Sequence, residues 1–201
     1  MQTKTTRQTP AGDLEPRLAP LKENEMGEVG LAITNMLRKS YNLSETAATP
    51  DAVAIMLRHP VMYQAQIEYI TKRMRASVLD LRTTELATLR AAWLCQCGYV
   101  WGEHVPMAKK AGMTSAQMEL ITRGPAAPEW SDADRAILQA VDDLHDDAMI
   151  SDATWEGLAQ VLDDKQIIEL IVIIGAYHEV SYLYNSLRVR FIPGNAVMAV
   201  R

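Results

Sequence analysis

The sequence predicts an all-α fold: a single-domain bundle of eight or nine helices. Three observations carry this expectation. Apolar residues recur at intervals of three and four along most of the chain, the spacing of amphipathic helices. No Val/Ile/Thr-rich run alternates with period two for long, and no Asn-Gly or Asp-Gly turn joins two such runs. Aromatic residues make up 6% of the chain, with one Phe against 11 Met. At 201 residues, 48% hydrophobic and 22% charged, the chain has material for one sizeable core.

The elements follow in order. Residues 1–20 are polar and are expected to be a flexible tail, ahead of a helical domain over 21–192 and a C-terminal tail over 193–201. Residues 22–38 make a first helix. Thr49-Pro50 reads as an N-cap followed by proline at the first helical position, opening a short helix that ends near His59-Pro60. A helix over 60–76 follows, with Lys72, Arg73 and Arg75 on a solvated face. Residues 82–96 form the most apolar helix of the first half. Gly98 punctuates, and 99–111 continues helically to a stop at Gly112. Thr114 and Gln117 make a capping box for a short helix to Gly124. Ser131, Ser151 and Asp163 or Asp164 cap three more helices, running to about 147, 162 and 188. Glu85-Leu86 and Glu169-Leu170 head similar apolar helices, a weak internal echo that would give two related hairpins.

Composition narrows the function classes. With 20 Lys+Arg against 25 Asp+Glu the net charge is −5, so no nucleic-acid partner is expected. Two cysteines cannot build a disulfide framework. No run of 18 apolar residues occurs and the N-terminus lacks the apolar stretch of a secretion signal. The expectation is a cytoplasmic protein with no membrane partner. No Gly-rich phosphate loop or dinucleotide fingerprint is present, so no cofactor is expected. His178-Glu179 is not followed by a histidine at Tyr182, and four scattered histidines without ligand spacing predict no metal.

The densest chemistry lies in Glu85, Cys95, Cys97, Tyr99, Trp101, Glu103 and His104. Cysteine and histidine have proton affinities nearest neutrality and suit acid–base or nucleophilic work. Seven residues place Cys97 and His104 on one helix face, about 10 Å apart along the axis. Glu85 would lie about 120° from Cys97 on an unbroken helix. The three converge only if the chain bends near Gly98.

The segment Glu85…Cys97-Gly-Tyr99-Val-Trp101-Gly-Glu103-His104 resembles the carboxymuconolactone decarboxylase and alkylhydroperoxidase D-like superfamily. The resemblance extends over about residues 45–192. It implies an all-α fold, trimers or hexamers, and catalytic roles for His104, Glu85 and Cys97. In the peroxidase branch a glutamate lies twelve residues before the first cysteine of Cys-x-x-Cys and a histidine seven after it, which matches Glu85, Cys97 and His104. The second cysteine of that motif falls on Val100, and a thiol peroxidase needs a resolving thiol beside the attacked one. Cys95, the other thiol, would point about 200° away on a helix. The lactone decarboxylase branch keeps the histidine without the cysteine and glutamate.

The first expectation is a cofactor-independent, decarboxylase-like lyase that moves protons on a small oxygenated organic acid or lactone. His104 is the general acid or base, Glu85 the orienting or relaying carboxylate and Cys97 a weak acid or nucleophile. Tyr99, Val100, Trp101 and His178 line the substrate pocket. Alternatives are a thiol-dependent alkylhydroperoxidase using Cys97, and a non-catalytic oligomeric module that binds a small ligand.

Overall fold

A computed structural model describes residues 11–40, 44–192, 194, 195, 197 and 198. The described residues form nine α-helices and no strand. These are α1 (Gly27–Ser40), α2 (Asp51–Met56), α3 (Pro60–Ala76), α4 (Leu81–Leu94), α5 (Gly98–Lys110), α6 (Ser115–Arg123), α7 (Asp132–Asp146), α8 (Asp152–Ala159) and α9 (Asp164–Leu187).

The caps explain the boundaries. Asp80, Thr114, Ser131, Ser151 and Asp163 each accept a bond from the backbone N–H three residues on. Gly112 and Gly124 leave their helices at positive φ, which glycine adopts without a Cβ penalty. Several boundaries differ from expectation: α1 starts at Gly27, five residues after the expected 22, and α2 ends at Met56, three before His59. Pro50 is itself the N-cap of α2, and Thr49 instead donates its hydroxyl to Glu23. The helix from Ser151 ends at Ala159, three residues short.

Helix α4 is the hub. It packs on α5, α6, α7 and α9, and its Leu86, Ala87, Leu89, Ala91 and Ala92 are wholly enclosed. Arg82 holds Asp134 by two bonds (2.6 and 2.9 Å), and Arg90 holds Asp142 by two more (2.6 and 2.7 Å). Both numbers rise together along the two helices, so α4 and α7 run parallel. Arg90 also donates to the Ile121 carbonyl at the end of α6. A Cβ at Gly124 would meet its guanidinium at 2.5 Å, so that corner admits only glycine. A smaller core of Met26, Ile33, Val53, Ala54 and Leu57 joins α1 to α2.

The predicted internal echo has two different outcomes. Glu85 is enclosed in the core, whereas Glu169 accepts bonds from the Val78 and Leu79 N–H groups and ties α9 to the loop before α4.

Two segments expected to be tails pack on the bundle. Residues 11–20 are not a loose tail: Ala11 is buried, the Phe191 ring sits against Gly12, and Arg17 donates its N–H to Leu187 (3.0 Å). Residues 1–10 lie outside the described chain. At the other end Asn195 docks on α5 by bonds to the Tyr99 carbonyl (3.1 Å) and Glu103 (2.9 Å). Its amide approaches so closely that a Cβ at Gly102 would collide with it. Helix α9 is long and apolar by length and composition, and it packs on α4, α5 and α8.

Candidate active site

The chain turns between α4 and α5 over Cys95, Gln96 and Cys97. Gln96 is left-handed (φ 50°), its N–H bonds to Trp93, and the Cys97 N–H bonds to Ala92. That pair of bonds is a Schellman ending, with Gln96 in a conformation that costs a non-glycine residue about 1–2 kcal/mol. The predicted bend therefore centres two residues before Gly98. Gly98 serves packing instead, since a Cβ there would strike Val197 at 2.8 Å.

The turn folds α5 back along α4. Glu85 lies nine residues before the end of α4 and His104 six after the start of α5. At about 1.5 Å per residue both stand roughly 10–14 Å from the turn. They meet there. His104 Nδ1 lies 2.8 Å from Glu85 Oε2, with side-chain exposures of 12% and 2%. A carboxylate accepting from Nδ1 fixes the ring and leaves Nε2 as the nitrogen able to exchange a proton with a ligand.

Tyr177 of α9 closes over this pair. Its ring stands edge-on to His104, with centroids 4.8 Å apart and planes at 86°. Burial pushes its phenol above the ordinary value and the Glu85 charge adds to that, while Arg73 and Thr88 pull the other way. The Arg73 guanidinium of α3 lies 5.9 Å from the Tyr177 ring centroid, and its buried Nε has no hydrogen-bond partner. Arg73 thus turns inward, whereas Lys72 and Arg75 are exposed as expected. Arg73 and Tyr177 also line a small cleft of about 60 Å3 between α3 and α9, with Tyr69 and Glu179.

The other expected site residues lie elsewhere. Cys97 has no exposed surface and caps the start of α5, about 10 Å along that helix from His104. Tyr99, Val100 and Trp101 are core residues rather than a substrate wall: Tyr99 packs edge-on against Tyr184 at 4.8 Å, and Trp101 packs at 5.6 Å from Trp93. His178 points away from the dyad into a cluster with His145, whose Nδ1 lies 2.9 Å from His178 Nε2. Cys95 joins them, all three ligand atoms lying within 4.8 Å of one another. No sequence spacing links these three residues; the fold brings them together from the end of α4, from α7 and from α9. Neither cysteine is in a disulfide.

Residues 60–143 match the model of the carboxymuconolactone decarboxylase family, a span that includes Glu85, Cys97 and His104. The likeness to that family is one of this segment, 84 of the 201 residues. Solved structures agree on the fold. An alkylhydroperoxidase AhpD core, a peroxidase-related protein from Ralstonia eutropha JMP134, matches with a TM-score of 0.76 at 12% identity, over 92% of this chain and 97% of that one. A protein of unknown function from Agrobacterium tumefaciens, named with the AhpD antioxidant defence proteins, matches at 0.63 and 22% identity, over 68% and 94%. The debrominase Bmp8 matches at 0.71 and 11% identity, over 90% and 95%. No curated protein matches the chain in sequence. The family span stops before α9, so it omits Tyr177, the residue that sequence reasoning also missed. Sequence reasoning chose His178, its neighbour, and one helical step of about 100° separates the two directions.

Proposed function

We propose that this protein is a cofactor-independent enzyme that moves a proton on a small oxygenated organic acid or lactone, a decarboxylation or related lyase step. The observation that carries the proposal is the enclosed Glu85–His104 pair at 2.8 Å. Glu85 orients the imidazole and compensates charge on it, and Nε2 takes and returns the proton. Arg73, with a buried Nε lacking a partner, supplies the group that a substrate carboxylate would pair with. Cys97 takes no part in this chemistry, since it is wholly buried at the far end of α5.

The proposal is tested by turnover of small keto acids and lactones, with His104→Ala and Arg73→Met compared with the parent. His104→Ala should remove turnover at saturation, and Arg73→Met should raise KM for acids more than for lactones. Tight ligand binding with no turnover on any candidate would instead favour a binding module.

We also propose that the protein works as a homo-oligomer of identical chains. Helix α3 buries none of its 17 residues, and Val61 and Met74 are 73% and 66% exposed. Ile168 and Tyr182 extend the uncovered apolar surface on α9. Sedimentation at micromolar concentration should give a trimer or hexamer, and Val61→Glu with Met74→Glu should dissociate it. A monomer in the parent protein would reject the proposal.

A further inference from the structure

We propose that Cys95, His145 and His178 form a three-ligand site for a borderline-soft divalent ion of the zinc class. The three come from separate helices: Cys95 caps the end of α4, His145 lies in the last turn of α7, and His178 lies within α9. Their ligand atoms all lie within 4.8 Å of one another. A tetrahedral ion with bonds of about 2.0–2.3 Å needs nitrogen and sulfur atoms roughly 3.3–3.6 Å apart. The two imidazole nitrogens, at 2.9 Å, must open by a few tenths of an ångström and the sulfur must close by at most about 1.2–1.5 Å. Small side-chain rotations suffice for both.

Two features orient the ligands as a metal site requires. His178 Nδ1 donates to the Ile174 carbonyl at 2.8 Å. A carbonyl can only accept, so Nδ1 holds the proton and Nε2, facing the cluster, can present a lone pair. A backbone carbonyl behind a histidine is the usual outer support of a metal-binding imidazole. Cys95 is held from behind as well, because Asn185 of α9 donates its amide to the Cys95 carbonyl at 2.9 Å. The donor set of one sulfur and two nitrogens suits zinc and other ions of similar softness, and disfavours magnesium and calcium. Three protein ligands leave a fourth position for water or a small ligand.

Binding is balanced in protons. In the metal-free cluster the short His145–His178 contact takes one proton, which His145 Nδ1 supplies when His178 Nε2 is bare. Coordination moves that proton to His145 Nε2 through solvent and releases the Cys95 thiol proton to buffer, with no oxidation or reduction.

The test uses the full chain, stripped with a chelator and titrated with Co(II) and then Zn(II). One ion per chain and a thiolate-to-cobalt charge-transfer band, displaced by Zn(II), are expected. Cys95→Ser should abolish the band. His145→Gln, at a half-buried position that the fold tolerates best, should weaken binding by more than the roughly 10- to 100-fold that losing an outer hydrogen bond costs. Cys97→Ser should leave the band intact. No stoichiometric Co(II) binding at micromolar protein would overturn the proposal. So would a band that survives Cys95→Ser or disappears with Cys97→Ser. None of these readouts depends on turnover, so their failure is distinct from failure of the proton-transfer reading.

Discussion

Glu85 Oε2 and His104 Nδ1 stand 2.8 Å apart across the α4–α5 hairpin, under the edge of the Tyr177 ring. Positioned acid–base groups contribute about 10²- to 10⁴-fold in rate. His104→Ala should lose that much in kcat with an unchanged far-ultraviolet circular dichroism spectrum. Glu85→Gln keeps the shape but removes the charge from the bond, and should cost about tenfold. Equal loss of activity in Cys97→Ser would place the chemistry at sulfur instead.

Peroxide turnover should be poor. Cys97 is wholly buried, Val100 stands where a resolving thiol would be needed, and the Cys95 sulfur lies with His145 and His178. A Cys97 sulfenate would meet valine, not a thiol, at position 100. Val100→Cys should raise peroxide consumption with a dithiol reductant above the parent. Sustained turnover by the parent would contradict this.

The nine helices were legible because their signals are local. Serine, threonine and aspartate caps, a capping box at Thr114 and glycine stops fix most boundaries within a residue or two. Glu85 and His104 were legible only through the resemblance, since helix geometry on an unbroken rod kept them apart. The Gln96 turn that joins them carries no glycine and so no turn signal. Tyr177, Arg73 and the Cys95–His145–His178 cluster depend on contacts between residues 33 to 104 positions apart in sequence, which no spacing rule encodes. Residues 11–20 lack apolar periodicity, and backbone hydrogen bonds with one Phe contact hold them.

Alkaline titration should single out Tyr177. Its phenol is raised above the ordinary value of 10.0 first by burial and then by Glu85. The unfolded chain therefore loses this proton at lower pH than the folded one. Its contribution to stability is complete below about 10 and is lost as pH rises through the folded value. Tyr177→Phe should flatten the stability profile above pH 10 and remove a tyrosinate absorbance that appears above that pH. An unchanged late absorbance would assign it to another of the seven tyrosines.

Deleting residues 2–18 should lower the melting temperature by several degrees. The deletion removes the buried Ala11, the Gly12–Phe191 contact and the Arg17 bonds to Leu187 and Ser186. One or two lost bonds of this kind amount to about 1–3 kcal/mol, and a chain of this size shifts roughly 2–4 °C per kcal/mol. An unchanged melting curve would show that the segment contributes nothing.

The two arginine forks on α4 have a mechanical meaning. Arg82 and Arg90 lie eight residues apart, about 12 Å along the axis, and each grips an aspartate of α7 with two bonds. Sliding one helix past the other by a single turn would break both grips together, so α4 and α7 behave as one bolted beam. Glu85 sits between the bolts. The floor beneath His104 cannot yield to let a substrate in. Helix α3, with no residue buried and Gln66 bonded to Glu179 at 3.1 Å, is the lightly latched side. A partner chain resting on α3 would therefore bear on the Arg73–Tyr177 contact beside the imidazole.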